Sequence, residues 1–133
     1  MIRYFDECGL VHAVMYCHNA GKWTFVVCNC DDEVCIPVKA YKAGRRDQVL
    51  AGPELISYDK SKCKGCADCG KCLTRCMFDA VSVGEDGKSV ADPTKCLGCG
   101  LCASTCPTGA RTMTKRLDYE HEDTLTTRIL LGE

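Results

Sequence analysis

Apolar and polar positions alternate unevenly along this chain, and the elements they predict are short. Trp23-Thr24-Phe25-Val26-Val27-Cys28 sets aromatic and β-branched residues side by side, a composition that suits a pleated strand. The acidic turn Asp31-Asp32-Glu33 closes it. Ahead of it, Tyr4 to Tyr16 reads as a short helix, with Phe5, Cys8 and Leu10 to His12 on partly apolar faces and a break at Asn19-Ala20-Gly21. Between Lys39 and Val49, basic and polar residues alternate with small apolar ones, which predicts a short exposed helix ended by Gly52-Pro53. Further on, Ile56-Ser57-Tyr58, Ala80 to Val83, Lys88 to Val90 and Ala110 to Met113 read as short strands pairing in hairpins, with Gly84 to Gly87 as a turn.

Cysteine organises the rest. The chain has 133 residues, 14 of them Cys, so its 46% hydrophobic content overstates what is free to build an apolar core. Three zones follow. Residues 1–54 are a cysteine-rich region, residues 55–114 carry two dense cysteine runs, and residues 115–133 form a polar tail. Asp59-Lys60-Ser61-Lys62-Cys63-Lys64-Gly65-Cys66 recurs as Asp92-Pro93-Thr94-Lys95-Cys96-Leu97-Gly98-Cys99, an internal repeat that implies two similar half-sites.

Such cysteine density means either a disulfide scaffold or a metal framework in a reducing compartment, and the spacings choose metal. Cys96-x2-Cys99-x2-Cys102-x3-Cys106-Pro107 has the bacterial 4Fe–4S spacing, in which the fourth Cys ligates the other cluster. Two-residue gaps wrap a tight loop round one face of a cluster, and the three-residue gap sets Cys102 and Cys106 a helical turn apart. Gly98 and Gly100 let backbone N–H groups approach the sulfides. Paired C-x2-C units also build zinc sites, but the triple spacing fits those poorly.

The first run has five cysteines where four suffice: Cys63, Cys66, Cys69, Cys72 and Cys76. Read from the left, the ligands are Cys63, Cys66 and Cys69. Read from the right, they are Cys66, Cys69 and Cys72, and the constrained three-residue gap to the crossing Cys favours this register. The expectation is cluster one on Cys66, Cys69, Cys72 and Cys106, with Cys63 as the alternative ligand, and cluster two on Cys96, Cys99, Cys102 and Cys76.

On these motifs Cys63 to Met113 resembles the bacterial-type two-cluster 4Fe–4S ferredoxin domain, over about the last half of the chain, with Cys96 to Pro107 a full match. Met77 stands where that family carries Pro after the fourth Cys of the first run, and the extra cysteine lengthens that loop. The resemblance implies an α+β, pseudo-twofold ferredoxin-like domain behind a cysteine-rich N-terminal extension. It also implies one-electron transfer through two 4Fe–4S clusters to or from a larger oxidoreductase, with a redox protein as partner and no substrate bound. Two other classes compete: a redox-sensing or structural metal module, and the electron-transfer domain of a multidomain enzyme.

The N-terminal cysteines pose a separate question. Cys28 and Cys30 share a face of the predicted strand and Cys35 returns after the acidic turn. His12, His18, Cys17 and Cys8 are candidates for a fourth ligand, to zinc or to a further iron–sulfur centre. Gly9-Leu10-Val11-His12 followed by Phe25 to Cys30 is similar to a domain found ahead of ferredoxin modules in some larger bacterial and archaeal proteins. That resemblance raises His12 and implies a zinc site on His12, Cys28, Cys30 and Cys35, with Cys17 as the alternative ligand. Buried, reduced thiols are the plainer reading. A disulfide between Cys28 and Cys30 is disfavoured by its one-residue gap.

Charge adds little. The net charge is −1, and Lys and Arg are spread without a block, so nucleic acid is not an expected partner. Lys42, Arg45 and Arg46 form either a docking patch or a solvated helix face, and Asp118 to Asp123 makes an acidic tail. No 18-residue apolar run and no leader pattern occur, so the chain reads as cytoplasmic, without a membrane partner. No phosphate loop, dinucleotide fingerprint or activated nucleophile suggests catalysis of its own.

Overall fold

Ala20 (φ 50) and Gly21 (φ 75) both take positive φ and turn the chain back on itself, as a two-residue hairpin requires. The computed structural model describes residues 1–116, and of residues 15–19 the backbone alone. The elements are α1 (Ile2–Glu7), β1 (Val11–Asn19), β2 (Lys22–Cys30), α2 (Ile36–Lys42), a 3-10 turn at Arg46–Gln48, β3 (Glu54–Tyr58), a 3-10 turn at Lys60–Lys62, α3 (Lys71–Arg75), β4 (Val81–Val83), β5 (Ser89–Ala91), α4 (Leu101–Ser104) and β6 (Arg111–Lys115). The result is a small mixed helix-and-strand molecule in which three antiparallel pairs, β1–β2, β3–β6 and β4–β5, carry the ladders.

The helix predicted over Tyr4 to Tyr16 is corrected by the structure. It stops at Glu7, Gly9 takes φ 88, and the chain continues as β1. The reason is tertiary: Val11 to Asn19 finds a partner in β2, with Val11 opposite Cys30, His12 opposite Asn29 and Ala13 opposite Cys28. The predicted strand is present and longer than its aromatic centre, running from Lys22 to Cys30. Side chains alternate between faces, so Val11, Ala13, Cys28 and Cys30 share the face toward the core, while Val14, Phe25 and Val27 lie exposed on the other.

The acidic turn is held by the Asp31 carboxylate, which accepts from the N–H of Glu33 (3.0 Å) and of Val34 (2.8 Å). It leads into α2, which starts earlier than the basic pattern predicts because Pro37 supplies a preset φ in its first turn. That helix is not merely a solvated one, since Val38 and Tyr41 are buried. The basic residues at its end and in the turn that follows are engaged within the chain: Lys42 pairs with Asp32 at 2.8 Å, Arg45 with Asp47 at 3.2 Å, and the Arg46 guanidinium lies 4.2 Å over the Tyr41 ring.

Val11, Cys30, Val38 and Tyr41 from the N-terminal region form one buried cluster with Phe78 and Leu101 from the cysteine-run region. Tyr41 and Phe78 meet edge to face, with ring centres 5.6 Å apart, a geometry favoured by the ring quadrupoles. Polar ties reinforce the contact, as Arg75 donates to the Glu7 carbonyl (2.7 Å) and Ser104 to the Asp6 carboxylate (3.0 Å).

The strands predicted around the two runs are present, but only β4 and β5 pair as a hairpin; β3 pairs with β6, joining the two ends of the cysteine-run region. Lys115 belongs to β6 rather than to the tail. The acidic stretch Asp118 to Asp123 lies outside the described residues. Among the described residues no helix is long and apolar enough to cross a membrane.

Candidate functional site

Each cysteine run is shaped by the same local chemistry. The Asp59 carboxylate accepts from Ser61 N–H (3.0 Å) and hydroxyl (2.6 Å), and the Asp92 carboxylate accepts from Thr94 N–H (2.9 Å) and hydroxyl (2.6 Å). These Asx turns set the chain up for its first cysteine. Gly65 (φ 99) and Gly98 (φ 73) then turn it between the first two thiols, and Gly70 (φ 57) and Gly100 (φ 81) cap α3 and α4 in the left-handed conformation. Beyond the helices, the Asp92 N–H donates to the Ala80 carbonyl (2.8 Å) and the Asp59 N–H to the Ala110 carbonyl (2.9 Å). Each run is thus tied to the strand that leaves the other.

Two thiol-lined cavities result. The first, about 400 Å³ including its mouth, is lined by Cys63, Cys66, Cys69 and Cys72 together with Cys106. The second, about 350 Å³, is lined by Cys96, Cys99 and Cys102 together with Cys76. Each cavity therefore takes one thiol from the opposite run. The structure brings Cys63 and Cys72 to the same cavity, so lining it does not choose between the two predicted registers.

The surroundings differ. Cavity two has an apolar wall of Ile56, Phe78, Leu97 and Met113. Cavity one is walled by Tyr58, Ser89 and Arg111. Arg111 is buried, donates to the Ser89 hydroxyl at 2.8 Å, and lies 4.2 Å over the Tyr58 ring. Its Nε and Nη1 atoms are buried without a hydrogen-bond partner, which costs free energy unless an anion meets them. A thiolate-ligated iron–sulfur cluster is such an anion, and the all-sulfur donor sets suit it. The residues present fit the group on both counts. Arg111, Ser89 and Tyr58 carry no sequence signal beyond strand composition.

The thiols are tuned unequally. Burial pushes the Cys102 thiol up to about 12, with the neighbouring Cys99 adding to it. Burial also raises Cys99 and Cys66, the latter helped by Cys72 and Cys63. At Cys106 burial acts upward too, but the backbone N–H of Arg111, the Thr108 hydroxyl and the N–H groups of Thr108 and Ala110 reverse it and hold the thiol at about 7. Ala80 N–H donates to Cys76 Sγ at 3.3 Å. The Tyr58 hydroxyl leads the groups that lower Cys63.

At the N-terminus the structure brings Cys28, Cys30 and Cys35 together against the shared core. The Cys30 thiol lies 3.4 Å from Cys28 Sγ and is pushed up to about 12 by burial, then by Cys28 and Cys35. His12 is placed differently. It pairs with Asn29, and its Nδ1 lies 2.8 Å from Asn29 Oδ1, so the strand alternation sets it on the face opposite Cys28 and Cys30. Cys17 pairs with Thr24 through its backbone, four positions beyond Ala13; its side chain and that of His18 lie outside the described residues. Cys8 is exposed. Among the described residues no three or more His, Cys, Asp or Glu are gathered about a point that could hold a single metal ion, and a zinc site finds no support. A cluster differs, since its thiolates are spread round a cavity.

A family profile described as the 4Fe-4S binding domain matches residues 90–112. In the Na(+)-translocating ferredoxin:NAD(+) oxidoreductase complex of Acetobacterium woodii, one component protein is 45% identical over 49 residues, which is 37% of this chain and 15% of that protein. The chain thus spans only a small part of that relative. An uncharacterised ferredoxin of Methanocaldococcus jannaschii is 40% identical over 55 residues, 41% of this chain and 87% of that protein. Ferredoxin-3 of Rhodobacter capsulatus is 29% identical over 98 residues, 58% of this chain and 95% of that protein. Matched over most of one ferredoxin's length, carrying a 4Fe-4S binding domain and folding its cysteine runs about two thiol-lined cavities, the chain belongs to the ferredoxins.

Proposed function

We propose that this chain carries single electrons between a donor and a larger oxidoreductase on two 4Fe–4S clusters, arranged in a pseudo-twofold ferredoxin-like domain. The observation that carries the reading is the pair of cavities, each lined by thiols of one run and a single thiol of the other. Cluster two is assigned to Cys76, Cys96, Cys99 and Cys102. Cluster one is assigned to Cys106 and three of Cys63, Cys66, Cys69 and Cys72. When bound, a 4Fe–4S cluster supplies a reversible one-electron couple.

The protein's own part is to hold the thiolates, to aim backbone N–H groups at Cys76 and Cys106, and to exclude water. Phe78, Leu101 and the N-terminal Tyr41 close the core behind cavity two. Arg111 balances negative charge at cavity one. Matches that cover a small fraction of a multisubunit oxidoreductase protein favour a docking module or subunit within a larger electron-transfer system. The N-terminal thiols Cys28, Cys30 and Cys35 are assigned a packing role in the core beside cavity two.

Anaerobic purification with iron and sulfide quantitation, followed by electron spin resonance of the reduced form, tests the assignment. About eight irons and eight sulfides with spin-coupled signals support it. About four irons, or zinc in place of iron, sinks the two-cluster reading.

A further inference from the structure

The first run can be matched to the second in space, without relying on where its cysteines are counted from. Residues 59–66 follow 92–99 at an offset of 33: Asp59 and Asp92 make the same two bonds to a following Ser or Thr, and Gly65 and Gly98 both take positive φ before the second cysteine. Residues 70–80 follow 100–110 at an offset of 30. Gly70 and Gly100 cap α3 and α4, Asp79 (φ 54) and Gly109 (φ 64) make the same left-handed step, and Ala80 and Ala110 are both buried carbonyl acceptors for the opposite Asp. The offsets differ by three residues, which places the excess at Ala67-Asp68-Cys69.

The backbone shows where those three residues go. The Cys69 N–H bonds back to the Gly65 carbonyl at 3.2 Å, closing one extra turn. That turn returns Gly70 to Cys66, since a Cβ built on Gly70 would stand 3.1 Å from the Cys66 carbonyl oxygen. Gly70 therefore follows Cys66 in space as Gly100 follows Cys99 in sequence.

We propose that cluster one is held by Cys63, Cys66, Cys72 and Cys106, and that Cys69 is a free thiol on an inserted turn at the rim of the same cavity. The inference rests on the two-cluster reading and refines it. Both sequence constraints are then met together: the Asp-x-x-Lys-Cys-x-Gly-Cys lead keeps Cys63 and Cys66, and the three-residue gap before Cys76 keeps Cys72. Each of the two registers predicted from sequence gives up one of them. Cavity two has no such fifth thiol among its lining residues, so the two sites differ chemically: among the described residues, cavity one alone carries a fifth thiol in its own lining.

The test is alkylation of the intact, anaerobically prepared protein with iodoacetamide, followed by unfolding, digestion and mass spectrometry. Cys69, which is partly exposed, is expected to be modified while Cys63, Cys66, Cys72 and Cys106 are protected. Protection of Cys69, or modification of Cys63 or Cys72 in its place, overturns the assignment. Iron analysis of variants supplies a second reading. Cys69→Ser is expected to keep the full iron and sulfide content, and a loss of half its iron overturns the proposal. Wild-type protein with only one cluster or none would instead remove the two-cluster reading beneath it, and that count is taken first.

Discussion

Buried Arg111 donates to the Ser89 hydroxyl at 2.8 Å, and both residues line the first thiol cavity, with no cation in the lining of the second. A fixed positive charge favours the more negative, reduced state of a neighbouring cluster. Arg111→Met is therefore expected to lower the reduction potential of cluster one by on the order of 50 mV, equivalent to roughly 1 kcal/mol. A potentiometric titration followed by spin resonance reads this directly. Equal shifts at both clusters, or none, would show that Arg111 does not set the difference between them.

Gly98 tests the close approach of backbone at cavity two. It takes φ 73, and a Cβ there would run into the Glu54 carbonyl of β3. Gly98→Ala combines a left-handed penalty of about 1–2 kcal/mol with a clash against backbone that is paired to Lys115. Cluster two is expected to be lost first, leaving about half the iron. An alanine variant with full iron and unchanged spectra would mean that the loop relaxes without cost.

Tyr41 carries the contact between the N-terminal region and the cluster region. Its ring is buried edge-on against Phe78, so Tyr41→Ala should cost about 3–5 kcal/mol of stability. Because Phe78 lines cavity two, bleaching of the clusters in air should also quicken. Denaturant unfolding of the holoprotein and visible absorbance measure the two effects. Destabilisation without faster bleaching would separate the N-terminal region from cluster protection.

What the sequence made legible follows from the range of the forces involved. The β4–β5 hairpin is local, and Gly84 to Gly87 with its short β-branched stretches mark it well, whereas β3 and β6 pair across the whole cysteine-run region and only their strand character was legible. The grouping of Cys76 and Cys106 with the opposite runs is legible from a three-residue gap, because a single helical turn fixes where the fourth thiol points. The first nineteen residues were not legible. Phe5, Cys8 and Leu10 to His12 resemble a helical stripe, yet the β2 partner overrides that weak local preference through long-range pairing. The position of His12 depends on the same register, and it faces Asn29 rather than the thiols. Arg111 is invisible for a different reason: its burial comes from the β3–β6 pairing with Tyr58, and an isolated Arg in a polar strand gives no sign of it.

The paired Asx turns make the cluster loops sensitive to acid in a predictable direction. The hydroxyl of Ser61, then the backbone N–H of Ser61, hold the Asp59 carboxyl below its ordinary value of 3.8, and Thr94 does the same for Asp92. A carboxyl lowered on folding contributes its stability in full above its unfolded value, and that contribution is lost as the pH falls through the lowered, folded value. Wild-type protein should thus lose loop stability as the pH falls below about 4, whereas an Asp59→Asn, Asp92→Asn variant keeps an acceptor oxygen but has no proton to take up. Anaerobic denaturation of both proteins from neutral pH down through about pH 3 should show the wild-type advantage present at the neutral end and gone at the acid end. A constant gap across that range would mean that the two carboxylates act through geometry alone and not through their charge.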